Sequence, residues 1–145
     1  MPSRPLHVPA IRKIVYAVTF ETGGIFLGGM VLHLVSQAPV GQSLALSTMG
    51  ASIALLWSYA FNSAFEAWEA RQPTKGRSFA RRAAHAALFE AGLTLILVPL
   101  TAWWLSATWV EALVYESSLI IFFLFYAWVF TWVFDAIFGL PGSAK

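Results

Sequence analysis

The sequence predicts an all-α integral membrane protein, four transmembrane helices laid out as a duplicated helical hairpin. Three observations carry that reading: a chain too apolar for water, four apolar windows divided by short breaks, and an internal repeat that matches acid to acid. Of 145 residues, 59% are apolar or aromatic and 11% are charged, against about 25% charged in an ordinary soluble domain. A membrane-spanning helix takes about 20 apolar residues, so this length holds four spans and no separate soluble domain. A nucleotide-driven motor within the chain is thereby excluded. The absence of cysteine excludes disulfides, thiolate metal sites and cysteine nucleophiles.

The windows run from Ile14 to Val35, Leu44 to Trp68, Ala83 to Leu105 and Val110 to Phe138. As a helix each is about 33 Å long or longer, enough to cross a hydrocarbon core of about 30 Å with some tilt. Barrel strands would alternate in polarity, whereas Ser118 to Phe134 is apolar on every face. The first window follows Arg12 and Lys13 as a secretory signal would. It is read as a span because it outruns an h-region of about 7–15 residues, contains Glu21, and is followed by only a weak Ser36-Gln37-Ala38 cleavage sequence.

The first break, Ser36 to Gln42, and the third, Trp103 to Trp109, carry no basic residue. All nine Lys and Arg lie at the N-terminal end (Arg4, Arg12, Lys13), around the middle break (Arg71, Lys75, Arg77, Arg81, Arg82) or at Lys145. By the positive-inside rule both termini and the middle break are cytoplasmic, and the bias argues against insertion in both orientations. Trp103, Trp104 and Trp109 fit an outer aromatic belt. The net charge of +2 follows from these cytoplasmic clusters, so no nucleic-acid partner is expected.

The shift that lays Arg12 on Arg81 also lays Ala17 on Ala86, Phe20 on Phe89, Glu21 on Glu90 and Gly23 on Gly92. It lays Phe61 on Phe130, Phe65 on Phe134, Glu66 on Asp135, and Trp57 on the similar Tyr126. Chance similarity among apolar spans does not align four carboxylates. The repeats are read as residues 1–72 and 73–145, two helices each. An even number of spans per repeat gives both the same orientation, a parallel repeat with a pseudo-twofold along the membrane normal.

A carboxylate at mid-helix in hydrocarbon costs about 2.5–3.5 kcal/mol on insertion scales, so an acid placed there calls for a use. Glu21 lies about 13 Å beyond the Arg12–Lys13 cluster along a helix axis, and Glu90 equally far beyond Arg81. These two are the proton-coupling candidates: desolvation disfavours an ionised carboxylate, so an acid at such depth holds a proton near neutral pH and yields it to a cation or water. One acid that takes either a proton or a cation couples opposite flows without a covalent step. Glu66 and Asp135 sit near helix ends, where Arg12, Lys13, Arg81 and Arg82 can pair with them, so structural ion pairs and function both stay open. Glu69 reads as a solvated loop charge, Glu111 as an outer-interface one, and Glu116 is ambiguous.

Gly24 and Gly28 follow Glu21 on one helix face and admit either a ligand or another helix. On the second helix Ser58, Asn62 and Glu66 form a polar stripe beside an aromatic one of Trp57, Phe61 and Phe65. A polar stripe faces protein or water. Aromatic faces beside acids suit an organic cation, and they serve packing equally. His85 reads as proton relay or packing residue, His33 as interfacial, and Pro99 as a bend in the third helix. No His, Asp or Glu cluster has metal-ligand spacing, and neither metal nor cofactor is expected.

The motifs resemble those of the proteobacterial antimicrobial compound efflux transporters, built from two tandem bacterial transmembrane pair domains. Odd helices of that family carry a basic residue, a His three later, then an aromatic–Glu pair. Arg82, His85, Phe89 and Glu90 match this in the third helix, and Lys13, Tyr16, Phe20 and Glu21 in the first. Even helices carry Trp-Asn, a second Asn and a closing Phe-Asp. Here stand Trp57, Ser58, Asn62, Phe65 and Glu66 in the second helix, and Tyr126, Ala127, Thr131, Phe134 and Asp135 in the fourth. The departures are Tyr16 for His and the loss of both Asn residues from the fourth helix. The resemblance implies proton-driven export of cationic biocides such as chlorhexidine and acriflavine, or of short diamines, from the bacterial inner membrane, with Glu21 as the central acid. The expected substrate contacts are Glu21, Tyr16, Phe20, Trp57, Asn62, Phe65 and His85; the expected partners are an organic cation, protons, lipid and a second copy in a homodimer. A small structural or regulatory membrane subunit is the competing reading. An enzyme is not expected, for want of a nucleophile–base pair.

Overall fold

The computed structural model describes residues 9–139, so Arg4 and Lys145 of the charge argument lie outside the described residues. Four helices account for nearly all of it: α1 (Pro9–Ser36), α2 (Val40–Ala70), α3 (Phe79–Trp104) and α4 (Trp109–Phe138). No strand occurs among the described residues, and each helix is long and apolar enough to cross a membrane. The helices overrun the apolar windows at the end of the basic residues. There α1 starts at Pro9, α2 continues to Ala70 and α3 starts at Phe79. Helical backbone stays hydrogen-bonded past the apolar stretch. Proline at a first helical position has no N–H to leave unsatisfied, and the Ser78 hydroxyl caps α3 by accepting from the Arg81 amide at 3.1 Å. Pro99 lies within α3, which runs on through it to Trp104; with no N–H there, the Leu95 carbonyl lacks its usual intrahelical donor.

At the opposite end the two short connections are built alike. Gln37 after α1 (φ 61°) and Ser106 after α3 (φ 52°) both take the left-handed conformation that ends helices, and the repeat shift lays one on the other. The Ala107 amide closes α3 by donating to the Ala102 carbonyl at 2.9 Å. His33 is more than an interfacial side chain: its Nδ1 lies 2.6 Å from the Ala38 carbonyl, across the α1–α2 turn. Glu111 likewise has a structural partner. It accepts from the Thr108 amide at 3.0 Å while its own amide donates to the Thr108 hydroxyl at 3.1 Å, a reciprocal cap that opens α4.

Close packing divides the chain into two units: residues up to Ser47 with those from Ser117 onward, and Thr48–Glu116. In the first, α1 packs on α4 and on the opening turns of α2. Added Cβ atoms show how tightly. At Gly28 one would lie 3.0 Å from Ser47 Oγ and 3.2 Å from Phe123 Cζ, and at Gly29 2.5 Å from Leu44 Cδ2. The Gly24–Gly28 face is therefore taken up by helix packing. Ser47 also donates to the Ile25 carbonyl at 2.9 Å. In the second unit α2 packs on α3, with Gly92 beneath the Trp57 indole. The burial pattern is inverted relative to a soluble protein. Few apolar side chains are buried, Leu32, Leu46, Val98 and Phe134 among them, while Leu56 and Trp128 are each 72% exposed, as lipid-facing residues should be.

Candidate functional site

Each unit contains one of the two deep carboxylates, set in the same local frame. Because the helices start earlier than the apolar windows, Glu21 stands about 18 Å along α1 and Glu90 about 16 Å along α3. Both side chains are half-buried. Among the described residues neither takes part in an ion pair; those found join Arg12 to Asp135 and Glu69 to Arg77 and Arg81.

The frame around Glu21 is built by α1 and α4. Tyr16 hydrogen-bonds Thr131 at 2.7 Å, and its ring meets Phe130 and Phe134 edge-on at 5.3 and 5.2 Å. Phe20 meets Phe130 edge-on at 5.3 Å. The Tyr126 hydroxyl donates to the Phe20 carbonyl at 2.8 Å and occupies the space over Gly23, 2.5 Å from where a Cβ would be. Tyr126 thus binds the residue next to Glu21 in the chain.

Around Glu90, α2 and α3 repeat the arrangement with different chemistry. His85 hydrogen-bonds Asn62 through Nε2 at 2.7 Å, and its ring meets Phe61 and Phe65 edge-on at 5.1 and 4.7 Å. Phe89 meets Phe61 edge-on at 5.8 Å. Trp57 Nε1 donates to the Phe89 carbonyl at 3.0 Å over Gly92. Every one of these contacts maps onto its counterpart beside Glu21 by the shift found in the sequence. The exchange of Tyr16 and Thr131 for His85 and Asn62 keeps the bond while changing both partners. Asn62 also donates to the Ser58 carbonyl at 2.8 Å, so the polar stripe of α2 bonds within its helix and to α3.

The structure thus brings Tyr16 and Phe20 together on one side, and Trp57, Asn62, Phe65 and His85 on the other. All are engaged in helix–helix contacts. The ion-pair candidates divide. Arg12 binds Asp135 and donates to the Gly139 carbonyl at 3.1 Å, with its guanidinium 5.0 Å from the Phe134 ring centroid. Glu66 is exposed and lines a cavity of about 350 Å³ together with Glu69, Lys75, Gly76, Arg77 and Arg81. Lys13 and Arg82 are exposed; Arg82 Nε donates to the Arg77 carbonyl at 3.3 Å.

Glu69 is a correction to the sequence reading. It is held in two bonds from Arg77, at 2.9 and 3.0 Å, with Arg81 4.0 Å away. That pairing lifts the Arg77 guanidinium above its ordinary range. Arg77 lies eight residues beyond Glu69 across the loop, so sequence distance alone concealed the pair. Tyr126 was the missed neighbour of Glu21, although its place opposite Trp57 in the repeat was the available signal.

The sequence model of the chlorhexidine efflux transporter family matches the chain twice in tandem, over residues 9–71 and 77–140. The chain belongs to that family. It is therefore a multi-pass membrane transporter rather than an enzyme. Among its relatives, a "short-chain diamines transporter" of Vibrio parahaemolyticus is 34% identical over 127 residues, 87% of this chain and 89% of the relative. Proteins of the same description from Acinetobacter baylyi and Acinetobacter baumannii are each 26% identical over 126 residues, covering 87% of this chain and 89% and 87% of their own lengths. No solved structure matches the chain.

Proposed function

We propose that this efflux transporter exchanges protons for organic cations across the bacterial inner membrane, with both termini and the basic middle connection in the cytoplasm. Glu21 binds either a proton or a cationic group of the substrate, and Glu90 is its counterpart in the second repeat. The observation that carries this is a pair of half-buried carboxylates on membrane-spanning helices, neither in an ion pair among the described residues. A bare ionised carboxylate is costly there, so a proton or an ammonium group must accompany it. The family description names chlorhexidine and the relatives short-chain diamines. Both are cationic near neutral pH, so the substrate proposed here is a diamine or biguanide cation.

Tyr16, Phe20, Trp57, Asn62, Phe65 and His85 shape the two frames, and their aromatic faces attract a cation by about 0.5–2 kcal/mol per contact when it reaches them. Each frame joins one helix of the repeat 1–72 to one of the repeat 73–145, so alternating access between the repeats works by loosening the α1–α4 and α2–α3 contacts, and a homodimer covers the half-exposed carboxylate faces. The experiment is flux into proteoliposomes loaded with a pH dye. Chlorhexidine or a short diamine should move protons through the wild type, and Glu21→Gln should abolish the signal while remaining inserted. Undiminished flux through Glu21→Gln removes the assignment.

A further inference from the structure

One buried carboxylate is used neither by the two frames nor by the loop pairs. Glu116, on α4, is only 6% exposed, and Thr101 on α3 is fully buried beside it. The Thr101 hydroxyl donates to Glu116 Oε1 at 2.7 Å. No ion pair to Glu116 occurs among the described residues. The pair has no counterpart in the first repeat, where the shift lays Glu116 on Ser47 and Thr101 on Leu32. Duplication therefore does not explain it. It also lies apart from Glu90: Thr101 is about 16 Å farther along α3, close to the helix end at Trp104. Glu116 itself is about 10 Å from the start of α4.

Within Thr48–Glu116 the other ionisable groups at this end are Glu111, bound in the helix cap, and Tyr115, which bonds Glu111. From Ala91 to Trp104 α3 has no ionisable residue, and from Val40 to Ser58 α2 has none. His33, in the other unit, is committed to the Ala38 carbonyl. A carboxyl group enclosed this way, with one hydroxyl donor and no cation, is stable as the neutral acid.

We propose that Glu116, held by Thr101, is a second proton-binding site of the transporter, and that it exchanges its proton with water on the side of the 105–108 connection. It takes a proton from that side when ionised and returns it when that side is alkaline; no other bond changes. The role in coupled export rests on the reading of Glu21, but the protonation of Glu116 does not. The test therefore reads protonation directly, by infrared spectroscopy of the full chain oriented in lipid vesicles, following the carboxylic-acid C=O band.

The wild type should show a band that disappears when pH is raised on the side of the 105–108 connection alone. Glu116→Gln should lack that band, Thr101→Val should move its frequency, and Glu21→Gln should leave it in place. The Gln variant still accepts a hydrogen bond from Thr101, so a packing role would survive it. In transport, the dependence on pH at that side, up to about tenfold per unit for one proton, should flatten in Glu116→Gln. A wild type that transports without any proton movement would sink the Glu21 reading and leave the infrared result standing. No Glu116-dependent band, or a band unmoved by pH on that side, overturns the proposal.

Discussion

Replacing Gly92 by alanine drives a methyl group into the Trp57 indole, whose Cη2 lies 2.9 Å from the ideal Cβ position and whose Cε2 lies 3.0 Å away. The indole cannot swing aside freely, because its Nε1 is bonded to the Phe89 carbonyl at 3.0 Å and its ring packs 5.5 Å from Phe61. Overpacking of this kind costs about 1–3 kcal/mol, and loss of the indole hydrogen bond adds about 1 kcal/mol. Alanine recovers about 1 kcal/mol of helix propensity, so Gly92→Ala is destabilising by about 1–3 kcal/mol. Gly50, within α2, has nothing within 4 Å of its Cβ position; there the same change brings only the propensity gain, about 1 kcal/mol. Thermal unfolding in detergent, followed by circular dichroism, should place the two variants on opposite sides of the wild type, with the emission of Trp57 altered only in Gly92→Ala. Equal stability of the two variants, with unchanged emission, would refute the close approach of α2 to α3 on which the Glu90 frame is built.

Asp135→Asn strips Arg12 of its counter-charge and should cost about 1–3 kcal/mol, the desolvation of a polar group left unpaired. Arg12→Gln with Asp135→Asn together should cost less than the sum of the two single changes, a coupling readable in a double-mutant cycle. Glu69→Gln removes the counter-charge and one of the two oxygens that accept from Arg77; the expected result is faster tryptic cleavage at Arg71, Lys75 or Arg77 with little change in melting temperature, because the pair is solvent-screened. Tyr16→His with Thr131→Asn transplants the His85–Asn62 pair into the first frame. Since the hydrogen-bonding geometry is shared, the double variant should insert and melt like the wild type, and a large loss of stability would argue against the equivalence of the frames.

Much of the architecture was legible because the bilayer imposes it. Helix number, the three breaks and the tandem repeat follow from apolar windows and from carboxylates matched at one shift. The frames were only half legible. The shift paired Trp57 with Tyr126, but it could not show that α1 meets α4 and α2 meets α3, since neither periodicity nor charge specifies which helices touch. Gly24 and Gly28 admitted ligand or helix equally until Phe123 and Ser47 were found against them. Glu69 reads as a solvated loop charge and Glu111 as an outer-interface one because each lies beside a break. Arg77 and Thr108 bind them there through loop and cap geometry, which composition does not encode. Glu116 stayed ambiguous for a related reason: its partner Thr101 is an unremarkable residue of an apolar run on another helix.

The central claim is that one carboxylate holds a proton or a cation, never both. Proton release on binding measures this most directly: chlorhexidine is titrated into the purified transporter in weakly buffered detergent solution, with a pH indicator present. The wild type should release about one proton per cationic group seated at Glu21, and Glu21→Gln, folded to the same melting temperature, should lack that proton. The same release from both proteins, or none from the wild type at any pH where the acid is protonated, would contradict the account.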